Sequence, residues 1–571
     1  MIKHLTKDIN LSDKTVLLMG LGLNGGGVGT AKFLAPRVKK LIVTDLKSEK
    51  ELESSINQLK DFSNIEYILG QHREQDFVEA DIVFKGAGIK FSNKFITAAI
   101  ENNRFIETDI GYFFELFDSP IVGITGSKGK STTTTLVYEL LSKKINNIIL
   151  GGNITINPLN SFDENKDSSL AVLELSSWQL ADLAIHKKSP HIAILTTIFP
   201  DHLNYYGTMQ QYYEDKKYIF KFQNEKDWVI LNLNNDYLFE SFIKNEIKAN
   251  KIGVSNIDQF LLESSIYEKT KYENLIEKIE KFVKSEIGFS LIKYKNQVYI
   301  VKSKTFNKLN ELLKNYEINA NPFKFKKEID KSNQLEMKSG AEKNEINNKK
   351  DDALKVETDV DGIDIDIDFG TDINEDKYQF YKLPPLINLK LPGEHNKTNI
   401  LLAISCALLY EVSINDIFDC IEKFSGPEFR LQIVRQLNGV TFINDTTATV
   451  PDAVAASINA IKGRGRILLI AGGVDKNLPI ENMAIAINEN VFKLYLLEGS
   501  GSDILKNRLQ VLGYNSIEDG FNNLINLVEY IYKNAKENDI ILLSPGFASF
   551  NLFVNEFERG KIFNQAILGL K

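Results

Sequence analysis

Two cysteines, Cys406 and Cys420, are all that the 571 residues contain, and both stand in an apolar, helix-like stretch. That scarcity excludes a disulfide framework, a zinc cluster and a secreted scaffold as organising principles. No apolar run approaches the ~20 residues that a membrane-spanning helix requires. The amino terminus, MIKHLTKDIN, lacks the apolar core of a signal peptide. Basic charge is not in excess: 68 Lys and Arg against 76 Asp and Glu leave a formal net charge of -8. An acidic surface repels phosphodiesters, so nucleic-acid binding by bulk charge is disfavoured, whereas small phosphorylated ligands can still be met by local donors. The expectation is a cytoplasmic, metabolite-handling protein with no nucleic-acid and no membrane partner.

What is present is enough to build several cores. Hydrophobic residues make up 43% and charged residues 25% of a chain several times the usual domain length, which suggests three or four domains. Short aliphatic runs closed by glycine or a polar residue recur between helix-like stretches. They include Thr15–Gly20, Leu41–Asp45, Ile121–Gly126, Ala171–Ser176, Ile192–Thr197, Arg466–Gly472, Phe492–Glu498 and Asp539–Gly546. Runs that are apolar throughout suit strands of parallel sheets buried on both faces. Their alternation with helices predicts α/β units whose ligands gather at the carboxyl ends of the strands. Three groups of such units predict three domains, with cuts near Ser119–Pro120 and Gly426–Pro427: residues 1–119, 120–426 and 427–571.

One region has no aromatic residue, from Lys326 to Asp368, and is rich in Lys, Asn, Asp and Glu. It cannot bury enough apolar surface to offset chain entropy, and residues 326–377 read as a disordered insertion in the middle domain. Within it Asp364, Asp366, Asp368 and Glu375 are spaced like a calcium loop. Gly370 stands one position late for the EF-hand turn, and the reading is a solvated acidic linker.

Two glycine-rich turns carry phosphate chemistry. Thr125–Thr132, TGSKGKST, follows the strand IVGI and opens a helix-like run. Gly126 and Gly129 allow the backbone of Ser127, Lys128 and Lys130 to wrap a phosphate, Lys130 reaches the β/γ-phosphates, and Ser131, followed by Thr132, offers a hydroxyl to Mg²⁺. Ile124 replaces the first glycine of the strict pattern. The second turn, Gly20-Leu-Gly-Leu-Asn-Gly25, follows the first strand, and Asp45 ends the second. Taken alone it reads as the NAD site of an oxidoreductase, but the same turn serves any diphosphate-bearing ligand. Downstream stand Glu174, well placed at a strand tip for a nucleotide-bound Mg²⁺, His202, one of six histidines, and Lys216, which composition alone leaves as an exposed helix residue.

The chain resembles the Mur ligase family, in particular its D-glutamate-adding branch. The resemblance is carried by TGSKGKST, GGNI at 151–154, LELSSWQL at 173–180 and PDHLNYYGTMQQYYEDKK at 200–217. LPGEHNKTN at 391–399, FRLQ at 429–432, INDTTAT at 443–449, AGGVDKNLP at 471–479 and LLSPGFASFNLFVNEFERG at 542–560 continue it. The fold it implies is a Rossmann-like amino-terminal domain, a central P-loop ATPase-type domain with a parallel sheet, and a Rossmann-like carboxyl-terminal domain. The activity it implies is ATP-dependent amide ligation of D-glutamate to UDP-N-acetylmuramoyl-L-alanine through an acyl phosphate, in peptidoglycan precursor synthesis. Another Mur-type or folylpolyglutamate-type ligase is the alternative within that chemistry, and an NAD-dependent oxidoreductase or a non-catalytic nucleotide-binding protein lies outside it.

By the same resemblance Lys130 stabilises the transferring phosphoryl group, Ser131 and Glu174 hold one Mg²⁺, and His202 holds a second with Lys216 as an N-carbamate. Gly126, Ser127, Lys128, Gly129, Lys130, Ser131 and Thr132 cradle ATP. His395, Asn396 and Asn399 match the adenine-contacting segment, and Arg430 and Asp445 match phosphate and ribose contacts. Leu23, Asn24 and Asp45 fall at the uridine diphosphate end and Asn153 at the muramoyl region, so the first glycine turn serves a UDP-sugar. Thr449, Lys476 and Ser549 align with the D-glutamate pocket. Thr447 stands where the resemblance leads to lysine, and the family's aromatic near the ERG block appears as Glu556 or is displaced to Phe557. The expected partners are these small molecules only, on a monomer.

Overall fold

The computed structural model describes residues 2–22, 25–153, 157–160, 162–201, 203–244, 246–256, 289–294, 297–303, 309–315, 317–318, 324–325, 367–368, 378–387, 389–391, 394–475, 478–549 and 552–571. Leu23, Asn24, His202, Lys476 and nearly all of the 326–377 insertion with its acidic loop lie outside the described residues.

The described chain is mixed α/β, built on three main sheets. The first unit has five parallel strands in the order Ile65–Leu69, Lys40–Asp45, Thr15–Met19, Ile82–Lys85 and Phe105–Glu107. The third has six, in the order Gln432–Leu437, Val440–Asn444, Asp539–Leu543, Arg466–Gly472, Val491–Leu497 and Ile517–Phe521. Only its edge strand, Gln432–Leu437, runs antiparallel, as a hairpin with the next.

The middle sheet is larger and departs from the expected parallel arrangement. From one edge, Ile148–Gly152, Leu170–Glu174, Ile121–Thr125, Ile192–Leu195, Trp228–Asn232, Asn250–Asn256 and Phe289–Tyr294 are parallel. Gln297–Ser303, Tyr378–Leu383 and Glu317–Ile318 extend it antiparallel. The antiparallel strands flank the insertion, in the stretch with the fewest apolar runs.

Burial explains why the runs are apolar throughout. All residues of Ile121–Thr125, Leu170–Glu174 and Ile192–Leu195 are buried, because helices cover both faces. One face of Ile121–Thr125 supplies Val122 and Ile124 to a core with the helix Glu394–Leu409, whose Ile400 to Leu409 stretch is buried. Leu173 and Leu195 point into the opposite core, which continues into the first unit through Leu180, Leu183 and Phe113.

The first two units are also joined by buried polar contacts. Lys85, ending a strand of the first unit, pairs with Asp182 of the helix Ser177–His186, and both side chains are at most 3% exposed. Burial raises the Asp182 carboxyl to about 7, against the pull of Lys85. Asn157 Nδ2 donates to Gly26 O at 2.7 Å and to Thr30 Oγ1 at 2.9 Å. No helix of the described residues is long and apolar enough to cross a membrane.

Removing one partner of a buried pair strands the other charge. Lys85→Met is therefore expected to lower the apparent Tm of the ligand-free chain by roughly 5–10 °C, and Lys85→Met/Asp182→Leu to recover most of that loss. Differential scanning calorimetry checks both, and a single variant as stable as wild type contradicts the pairing.

Candidate functional site

The phosphate loop leaves the carboxyl end of Ile121–Thr125, the strand flanked by Leu170–Glu174 and Ile192–Leu195. The chain runs to opposite sides of this strand, a switch point that opens a crevice. Gly126 has φ +150° and a Cβ on it would meet Thr196 Oγ1 at 2.0 Å; Gly129 has φ +87° and a Cβ there would meet Asn399 Oδ1 at 2.4 Å. Both positions thus need glycine for conformation and for space. Gly129 caps the helix Lys130–Leu141, whose first-turn N–H groups include those of Ser131 and Thr132, giving an amino end suited to anions.

Neighbouring strand ends hold the loop. Thr196 Oγ1 donates to Lys128 O at 2.5 Å, and Ser127 N donates to Thr197 O at 2.6 Å. Ser127 Oγ donates to Phe199 O at 3.0 Å and faces Tyr212 OH at 3.1 Å. Sequence reasoning missed Thr196 and Thr197. Their signal was the TT closing the strand IAIL, polar residues at the one place where a strand tip meets the loop.

Glu174 lies 1% exposed at its strand tip. Its Oε2 accepts from Ser131 Oγ at 2.6 Å and its Oε1 from Asn153 Nδ2 at 2.8 Å. A capping box of Ser176 and Gln179 starts the following helix, fixing the turn behind the carboxylate. Lys130 Nζ donates to Gly126 O at 3.0 Å and Ser127 O at 3.1 Å. Burial lowers its ammonium below the ordinary lysine value, Glu174 opposes that, and the charge of Arg430 from the third unit adds to the lowering.

Lys216, read from composition as exposed, is 1% exposed. It sits on Met209–Lys221, capped by Thr208, on the face turned to the loop. Its Nζ donates to Gly126 O at 3.1 Å and to Thr125 Oγ1 at 3.3 Å. Burial, then the nearby Lys130 charge, pushes it well below the ordinary lysine value. The phosphate loop, Lys130, Ser131, Glu174 and Lys216 therefore converge, and His202 follows Asp201, whose charge is felt at both lysines.

A cavity of about 260 Å³ adjoins them, lined by Gly20, Gly26, Gly27, Thr30, Lys85 and Asn153 among others. It reaches from the first glycine turn to the Asn153 amide that bonds Glu174. Asp45 stands behind that turn: Oδ2 accepts from Leu21 N at 2.9 Å and Gly22 N at 3.0 Å. The structure thus makes Asp45 a brace of the loop.

Asn399, on the helix Glu394–Leu409, presses on Gly129, while Nδ2 donates to Asn396 Oδ1 at 3.2 Å. His395 is the second residue of the same helix. In the third unit Asp445 accepts from Leu431 N at 3.1 Å, Ser457 Oγ at 2.6 Å and Ser544 Oγ at 2.7 Å. Burial raises it to about 6, and its oxygens are committed within that unit. Gly546 N donates to Ala448 O, and Val474 and Ala548 form a bridge, so the loops of Thr449, Ser549 and residues 471–475 meet. Ser549 Oγ is buried, with no hydrogen-bond partner among the described residues. Thr447 Oγ1 donates to Phe429 O at 2.8 Å, and Thr446 Oγ1 donates to Glu556 O at 2.9 Å. Arg559, unassigned by sequence reasoning although in the ERG block, is fully buried and donates to Thr446 Oγ1 and O at 2.9 Å each.

Family models match the two catalytic-side units: the Mur ligase middle domain over residues 124–296 and the Mur ligase, glutamate ligase domain over residues 429–547. A UDP-N-acetylmuramoylalanine–D-glutamate ligase of Borreliella afzelii is 32% identical over 96% of this chain and 97% of its own. The chain belongs to the Mur ligase family. Relatives of the same name from Borreliella burgdorferi and Roseiflexus are 32% and 28% identical, covering 97% and 98% of this chain and 97% and 99% of their own. A UDP-N-acetylmuramate-alanine ligase structure from Thermotoga maritima gives a TM-score of 0.49 at 15% identity, over 98% of this chain and 100% of that one. This Mur ligase is an ATP-dependent enzyme of peptidoglycan precursor synthesis acting on small molecules.

Forcing a side chain into the left-handed region costs about 1–3 kcal/mol. Gly129→Ala is expected to lower ADP affinity roughly tenfold or more by titration calorimetry, with an unchanged far-UV CD spectrum. Wild-type affinity would contradict the required cradle geometry.

Proposed function

We propose that this ligase joins D-glutamate to UDP-N-acetylmuramoyl-L-alanine, converting ATP to ADP and phosphate. The reading rests above all on Glu174, which hydrogen-bonds the phosphate-loop hydroxyl of Ser131 with one oxygen and the Asn153 amide of the adjoining cavity with the other. One carboxylate thus links the phosphate loop to the neighbouring cavity, an arrangement that suits a reaction bringing two bound substrates together.

In the first step the alanyl carboxylate attacks the γ-phosphorus of ATP, the bond to the β-phosphate oxygen breaks, and ADP leaves an acyl phosphate. In the second the D-glutamate amine attacks the acyl carbon, loses a proton, and phosphate departs. The loop N–H groups and Lys130 neutralise phosphoryl charge and hold it in line. Arg430 approaches from the third unit and adds positive charge at the phosphates. His395, Asn396 and Asn399 border the adenine side, and Asp445 lies at the ribose side, held by Ser457 and Ser544.

Hard oxygen donors, Ser131 Oγ and a buried Glu174 carboxylate, fit Mg²⁺. Lys216 as an amine does not fit a second ion. Its lowered pKa keeps the amine lone pair available for carbon dioxide, and the resulting N-carbamate would give an oxygen donor for a second ion, with His202 as the expected co-ligand. Bound divalent ions would supply charge neutralisation for the phosphate oxygens. The cavity from the Gly20 turn to Asn153 takes the UDP-sugar, with Leu23 and Asn24 at its diphosphate end and Asp45 bracing the turn. Thr449, Lys476 and Ser549 take the D-glutamate carboxylates, Lys476 as their cation. This reading takes residues 1–119, 120–426 and 427–571 as the three domains of a cytoplasmic monomer without nucleic-acid or membrane partners.

Purified chain is expected to release phosphate from ATP only when UDP-N-acetylmuramoyl-L-alanine and D-glutamate are both present. Equal turnover with another amino acid would overturn the substrate assignment. In the same assay Lys216→Ala should lose activity and regain part of it with short carboxylates, and a complete lack of rescue contradicts the carbamate.

A further inference from the structure

His186, the last residue of the helix Ser177–His186, has a carboxylate at each ring nitrogen. Nε2 stands 2.9 Å from Glu107 Oε1 and Nδ1 stands 3.1 Å from Glu115 Oε1. Both carboxylates belong to the first unit and His186 to the middle one. His4 packs its ring 4.3 Å, centroid to centroid, from that of His186. One ligand-type atom from each of His4, Glu115 and His186 lies within 4.8 Å of the others.

We propose that His4, Glu115 and His186 form a zinc-class divalent-metal site that clasps the amino-terminal unit to the ATP-binding unit. Cysteine scarcity excludes thiolate sites, not a site of two imidazoles and a carboxylate. Such a donor set selects zinc over magnesium and leaves a fourth position for water. No catalytic role is assigned to it.

The surrounding contacts are those of a ligand-orienting shell. Glu107, fully buried, faces His186 Nε2 with Oε1, and a proton held on that nitrogen would leave Nδ1 free for a metal. Its Oε2 accepts from Leu5 N at 3.0 Å, and Oε1 also accepts from Thr108 N at 2.8 Å. One carboxylate thus anchors both the His186 ring and the backbone beside His4. Gly111 makes room, since a Cβ there would meet His186 Nε2 at 2.5 Å and Glu107 Oε1 at 2.7 Å. His4 Nδ1 is 3.2 Å from Leu5 O and can only donate to it, so the neutral ring carries its lone pair on Nε2.

A proton on Nδ1 would satisfy His186 and Glu115 without a metal, and that is the competing account. It gives the second imidazole no part, because a neutral His4 brings a proton-bridged pair no charge. Lys188, with Nζ 3.1 Å from Glu115 Oε1 and 2.8 Å from Phe114 O, is the cation a metal must outcompete. That gives the proposal a sign: removing Lys188 should strengthen metal binding.

The test is equilibrium dialysis of the full chain with Zn²⁺, under excess Mg²⁺ to occupy the phosphate-loop site. Wild type should retain one zinc per chain, and His4→Gln and Glu115→Gln should each weaken retention at least about tenfold. Lys188→Gln should tighten it and Glu174→Gln should leave it unchanged. Zinc should raise the Tm of wild type but not of His4→Gln, whose half-buried ring makes it the variant least disturbing to the fold. No retained zinc in wild type, retention indifferent to both His4→Gln and Glu115→Gln, loss of zinc in Glu174→Gln, weaker binding in Lys188→Gln, or a wild-type Tm unmoved by zinc would each overturn the clasp.

Discussion

The Glu174 carboxylate is the constraint around which the site is arranged. It is 1% exposed, and a carboxylate so buried is tolerable only if both oxygens find strong donors. Ser131 supplies one from the phosphate loop and Asn153 the other from the edge of the neighbouring cavity. Satisfying one buried charge therefore fixes the spacing between the phosphate loop and the cavity. The strand Leu170–Glu174, paired on both sides, gives that charge a rigid base.

Around it, backbone geometry does what side-chain chemistry cannot. Gly126 and Gly129 let the loop lie against Thr196 and Asn399, so elements from distant parts of the chain grip a loop with no apolar anchor. Lys130 and Lys216 both donate to Gly126 O, and the Lys130 charge lowers the affinity of Lys216 for a proton. A buried Lys216 beside a half-buried Lys130 is costly in the free protein, and phosphate oxygens are the ligands that the proposed function brings to them. The third unit answers with Arg430, while Arg559 spends its donors on Thr446 and so shapes the loop bearing Asp445 and Thr449. Thr447 caps the Phe429 carbonyl, so in the proposed function cationic recognition of the amino acid falls to other residues.

Much of this was legible in the sequence, for identifiable reasons. Strands with both faces covered leave uninterrupted aliphatic runs, and Ile121–Gly126 and Arg466–Gly472 were bounded to within a residue or exactly as folded. Glycine loops are legible because φ above zero and close approach leave one residue type. The antiparallel extension was not, since Gln297–Ser303 and Tyr378–Leu383 mix polar with apolar residues and pair across the insertion. The burial of Lys216 was hidden because a mostly polar helix reads as solvent-facing until its partner surface is known. Lys85 with Asp182, Arg559 with Thr446 and His186 with Glu107 are contacts 97, 113 and 79 residues apart, which no local pattern encodes.

The central claim is that the sugar cavity and the phosphate loop communicate through Glu174. Calorimetric titration of ADP with Mg²⁺, in the presence and absence of UDP-N-acetylmuramoyl-L-alanine, measures that coupling directly, and reciprocity requires the same factor in the reverse titration. The account predicts a coupling of roughly fivefold or more in wild type that disappears when Asn153→Ala removes the cavity's hold on the carboxylate. Independent binding of the two ligands in wild type, or coupling that survives Asn153→Ala intact, would contradict it.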